Sequence, residues 1–230
     1  MGNKIRTEAD RKAAKQDKSP IDIAALASLP VADPTIGGYF NLPRATAKAI
    51  GLLASDHVYD GYVAFNNTPG TFTFDPNARA VPGLYDFLAV AENEFSHLMG
   101  KTLGLGAPDY TLMDLFRYRS PDERALAEDG PAYFSVDDGR TQLGTFSSQP
   151  FTSKADWTTT VGGNDAFRAA FSPGLSYDLS AADIMVMDTL GWTVIASDSF
   201  LREDGHIVLA GGNSTAIVLG GALIDEANAK

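Results

Sequence analysis

Five consecutive residues, Asn93-Glu94-Phe95-Ser96-His97, offer the clearest chemistry in this sequence. On a helix, positions i and i+4 lie one turn apart on one face. Two imidazoles so placed can hold a zinc ion, and a glutamate beside the first can accept a proton from the metal-bound water. Glu94 stands where that general base is wanted, and His97 where the second imidazole is wanted. Asn93 holds the first ligand position, and a carboxamide is a poorer zinc donor than an imidazole. The expectation is a water-activating site with Glu94 as base, Asn93 and His97 as ligands, and zinc that is weakly held or absent.

The element that must position these residues is a helix over 84–99. Phe87, Leu88, Ala91, Phe95, Leu98 and Met99 recur at helical spacing and predict a wide apolar face turned to the core. Gly100 is a natural stop. A further ligand has to come from elsewhere, because the chain has only three histidines, His57, His97 and His206. Asp109 and Asp114 follow the helix at plausible reach. Asp114 is a candidate third ligand, and Tyr118 is a candidate ligand or oxyanion donor. Ser180 and Asp183 form a capping-box pattern that opens a second helix over 181–190. Between and around these, the sequence predicts a hairpin of 62–65 with 71–74 and a strand over 132–136. It also predicts short helices over 122–127 and 164–171 and a long loop over 144–165.

Composition limits the partners. The 230 residues carry a net charge of −11, and 44% are hydrophobic. Residues 1–20 hold six Lys/Arg against three Asp/Glu, which leaves the remainder at −14. An acidic body argues against nucleic acid and anionic membranes and suits cations or basic peptides. There is no cysteine, so disulfides are excluded and the redox compartment is left open. No apolar run reaches the ~18–20 residues of a membrane helix, and the first residues lack a signal-peptide core. The domain reading is a charged segment over 1–20, a main domain over 21–197, and a hairpin-like β extension over 198–230.

These residues resemble the metzincin-like zincins, and most closely a group of secreted bacterial metalloproteases whose motif runs H-E-I-S-E-x-M-G-R. The matching stretch is Asn93-Glu94-Phe95-Ser96-His97-Leu98-Met99-Gly100-Lys101. Segments 27–35, 60–65, 74–77, 114–118, 132–135, 163–167 and 183–192 also look like that group, so the resemblance covers roughly 20–195. Gly100 matches the glycine that lets the metzincin chain turn toward a third ligand, but Leu103 stands where that ligand belongs. Met113 lies in a stretch resembling the methionine turn beneath the metal. The departures are Asn93 for His and His97 for Glu.

The resemblance implies an α+β, zincin-like (metzincin-like) catalytic fold lacking part of its N-terminal subdomain. It also implies zinc, a peptide or protein substrate, and an extracellular setting. Two functions follow from it: a zinc-dependent metalloendopeptidase with impaired activity, or a catalytically dead zincin-fold binding module. Plainer readings stand beside the site residues. Met113 fits core filling, Asp114 fits capping, and Tyr118 fits a packed aromatic.

Overall fold

The computed structural model describes residues 19–194, apart from 36, 107 and 160–162, together with three C-terminal strands. The expected charged helix before residue 19 and His206 lie outside the described residues. The architecture mixes helix and strand. In chain order the elements begin with α1 (Pro20–Ser28), β1 (Tyr39–Phe40), α2 (Arg44–Ala49), β2 (Phe72–Thr73), β3 (Tyr85–Asp86) and α3 (Phe87–Leu98). There follow β4 (Asp109–Tyr110), a 3₁₀ turn (Leu112–Phe116), β5 (Arg117–Ser120), β6 (Glu123–Arg124), β7 (Tyr133–Phe134), β8 (Gly144–Phe146) and β9 (Trp157–Thr159). The chain continues with α4 (Ala181–Thr189), β10 (Trp192–Val194), β11 (Ile207–Gly211), β12 (Ser214–Leu219) and β13 (Ala222–Asp225).

The central sheet is antiparallel, in the order β6-β5-β7-β8-β9. Its inner face gathers Phe116, Phe134, Phe146 and Trp157, whose rings sit 5.2–6.3 Å apart in tilted pairs. Trp157 is fully buried. At ~25 cal/mol per Å² over ~200 Å², that burial contributes about 5 kcal/mol before entropy is counted. Its indole N–H still needs an acceptor, and Asp183 Oδ1 at 2.7 Å on α4 provides one. Sheet and helix are thus joined by one polar bond inside an apolar layer.

The helix ends obey local chemistry. Ser19 Oγ accepts from Asp22 N–H at 3.0 Å, and Pro20 opens α1, where its missing N–H costs nothing. Ser180 and Asp183 close the capping box predicted for α4. Asp86 caps α3 by accepting from Ala89 N–H. Gly100 ends α3 with φ +112°, and a Cβ there would run into Thr46 Oγ1. That hydroxyl in turn donates to Met99 O at 3.0 Å, and Trp192 Nε1 donates to the same carbonyl at 2.8 Å. The end of the motif helix is therefore anchored to both α2 and β10.

Four local expectations are corrected. Residues 62–65 form no strand, and β2 pairs in parallel with β3 instead of closing a hairpin. Residues 122–127 carry β6, not a helix; Arg124 on it donates to Leu115 O at 2.8 Å. The stretch 144–165 contains β8 and β9 at 144–146 and 157–159, with most of its Ser and Thr in the loop between them. Residues 164–171 hold isolated bridges, Asp165 with Asp178 and Arg168 with Trp157. In the C-terminal region, β11–β13 form an antiparallel sheet continuous with β10, so the extension begins on a strand of the main body.

Candidate functional site

The motif helix forms as the sequence predicts, but its apolar face is only partly buried, through Ala91 and Met99, and its polar side is buried as well. Its most buried positions are Ala89, Ala91, Asn93 and Ser96, whereas Phe87, Phe95 and Leu98 are only partly covered. Small side chains let the backbone at 165–168 approach α3 closely, and Asn93 fills the contact. Its carboxamide donates to Ala166 O at 3.0 Å and to Arg168 O at 3.4 Å. Two carbonyls facing one terminal group require that group to be the NH₂ end. Ser96 Oγ donates to Asn93 O at 2.5 Å, one turn back along the helix.

His97 lies on the same side, as the i, i+4 spacing demands. Its Nδ1 is 2.7 Å from Lys101 O and its Nε2 is 3.2 Å from Asp156 Oδ1. A carbonyl oxygen can only accept, so Nδ1 donates. Asp156 also receives the buried ammonium of Lys101 on the same oxygen. Burial pushes the Asp156 carboxyl up, but the His97 hydrogen bond and the Lys101 charge outweigh it and hold the group below the ordinary carboxylate range. Both ring nitrogens of His97 thus face oxygen atoms of the protein.

Lys101 completes the cluster. It is fully buried, and its ammonium sits 4.6 Å above the Phe167 ring. Burial pulls its pKa down, opposed by Asp156. Sequence reasoning missed Asp156 because it lies in the stretch read as loop, and it noted Lys101 only as a motif position. Nothing in the spacing of residues 101 and 156 signals the pair.

The remaining candidates take structural roles. Glu94 is exposed on α3, one turn from His97 at i, i+3 spacing and about 100° around the helix from the buried Asn93. Asp114 is fully buried and turned to its own backbone. It accepts from Thr111 N–H at 2.7 Å, Gly104 N–H at 2.9 Å and Leu105 N–H at 3.3 Å. Burial raises its pKa against those bonds. Tyr118 is buried in the sheet beneath the Arg124 guanidinium, and burial pushes its hydroxyl up to about 12. Met113 is fully buried core, and Leu103 packs against that core. His57 is exposed in the loop after α2, and Asp109 accepts from Asn41 Nδ2 at 2.9 Å.

These donors do not fit zinc. Asn93 presents N–H groups, both His97 nitrogens face acceptors, and a cation already shares the nearest carboxylate. Among the described residues, no group of three or more His, Cys, Asp or Glu is arranged to hold a metal ion. Also among them, no helix is long and apolar enough to cross a membrane. Comparison with known proteins brings no further guide, since no family model, curated protein or solved structure matches this chain.

Proposed function

We propose that this chain is a non-catalytic binding module on a zincin-like (metzincin-like) scaffold, acting outside the cell as the resemblance implies. Its metal-ligand positions have become internal braces. The observation that carries this reading is His97, whose two nitrogens are both committed to acceptors within the protein. Asn93 supports it, because its amide joins α3 to the 165–168 segment.

The test is metal content and zinc titration by calorimetry, alongside casein cleavage with added zinc. This reading expects no stoichiometric zinc and no cleavage by the unmodified chain. One zinc per chain, with cleavage that Glu94→Gln abolishes, would restore the alternative of a zinc-dependent metalloendopeptidase. General-base loss typically lowers a rate by ~10²–10⁴-fold, so the two outcomes are well separated.

A further inference from the structure

A binding module needs a surface, and the side of α3 away from Asn93 supplies one. Six aromatic rings run together there. Phe74 packs on Phe87 with centroids 4.7 Å apart, Phe87 meets Phe65 at 5.0 Å and Phe72 at 5.4 Å, and Phe65 reaches Phe95 at 6.2 Å. Tyr85 joins Phe72 at 6.4 Å. The segment 61–66 lies along the helix. Gly61 abuts Leu98 so closely that a Cβ would come within 2.5 Å of Leu98 Cδ2. Val63 and Phe65 turn partly inward, while Tyr62, Ala64 and Asn66 turn out.

This cluster is only partly covered: Phe74 is 65% exposed and Tyr85 36%, and the segment that runs along the helix adds Tyr62, 91% exposed, with Tyr59, 89% exposed, just before it. Open aromatic surface of this kind marks a partner site. Of the nearby acidic residues, Asp56 and Asp60 are paired with Arg44 and Lys48, and the buried Asp86 is paired with Arg79. Glu94 and Asp75 are exposed directly beside Phe95 and Phe74.

We infer that this aromatic, acidic face docks an arginine-rich peptide segment of a partner protein. Guanidinium groups are planar and weakly hydrated; they stack on aromatic faces and pair with carboxylates. An acidic rim repels anionic membranes and nucleic acid, and disfavours a second copy of this acidic chain. The inference rests on the binding-module reading and names its partner class.

The experiment is fluorescence anisotropy of the full chain with a labelled octapeptide of four Gly-Arg repeats, and with its Gly-Lys and Gly-Glu counterparts. Binding of the Arg peptide is expected, with the Lys peptide weaker by about two- to fivefold and the Glu peptide silent. Tyr62→Ser with Phe74→Ser weakens Arg-peptide binding at least ~10-fold. Circular dichroism checks the fold, and Tyr59→Ser with Tyr62→Ser serves as a second variant built only on exposed positions. Equal binding of Arg and Lys peptides, or binding that neither variant weakens, overturns the proposal.

The proposal also fails if the face instead holds neutral phosphatidylcholine vesicles, or if the variants convert a dimer to a monomer. Cleavage of the Arg peptide in the presence of zinc would defeat the non-catalytic reading while leaving the docking face standing.

Discussion

The two sides of α3 were built by opposite rules. One side is buried and carries small or polar residues, Ala89, Asn93 and Ser96, with Asn93 donating to backbone carbonyls of the 165–168 segment. The other carries aromatic bulk, Phe87 and Phe95, yet is covered only by an extended segment and remains partly open. Close approach and satisfied hydrogen bonds, not side-chain hydropathy, decided which side went inward. A polar side chain can be buried at little cost when each donor meets an acceptor, and Asn93 and His97 do so. An aromatic stripe can stay outside when its rings cover one another. Periodicity ranks sides by apolarity and cannot see either arrangement.

The largest expected effect lies on the buried side. Lys101→Met strips the cation from Asp156, and removing one partner of a buried pair typically costs ~3–5 kcal/mol. Urea unfolding should show a loss of that size. The double variant Lys101→Met with Asp156→Leu should recover part of it, since no charge is then left alone. A loss below about 1 kcal/mol in the single variant would mean that the pair is not a brace.

Next comes Asn93. Asn93→Ala leaves the Ala166 carbonyl without its donor, a loss of about 1–3 kcal/mol. Asn93→His, the change that the sequence alone recommends for zinc, places a larger ring under two carbonyls and should cost about 1–3 kcal/mol by overpacking. Zinc affinity should not improve tenfold in that variant. A tenfold gain would show that the helix can turn its ligand side outward after all.

A third test concerns Glu92, between the two sides. Its Oε2 is buried and finds no hydrogen-bond partner among the described residues, and burial pushes its carboxyl up to about 8. The unfolded chain ionises near pH ~4.3. The folded state therefore keeps a proton that the unfolded state has released, and stability falls as pH rises from ~4.3 through about 8. Asp183, raised to about 8 by burial and then by Asp165, adds to the same slope. Glu92→Gln should flatten part of the decline, with a higher melting temperature at pH 8 and little change at pH 4. Parallel melting curves for variant and parent across that window would count against the assignment.

The smallest effect belongs to the open side. Tyr62→Ser touches a residue that is 91% exposed, so stability should move by no more than ~0.5 kcal/mol. A larger loss would mean that the aromatic face supports the fold and is not free for a partner.

Several features were legible in the sequence because they are set by neighbours along the chain. The cap at Ser180 with Asp183, the helix carrying Asn93 and His97 on one side, and the stop at Gly100 all follow from spacing within one turn or from backbone conformation. So did the acidity of the main body and the absence of disulfides. The strands at β8 and β9 were obscured because alternation is weak over three residues and Ser and Thr suit both loops and solvated strand sides.

Only the tertiary structure could decide what α3 faces. Asp156 is 55 residues from Lys101, and Ala166 is 73 from Asn93. No local pattern links residues so far apart. Which carbonyl meets an amide, and which carboxylate meets an imidazole, is settled by how the sheet packs on the helix. The sequence by itself determined the residues available for chemistry and the helix that presents them. The packing of β9 and the 165–168 segment determined which acceptors Asn93 and His97 meet, because partners so far apart in sequence come together only through the fold.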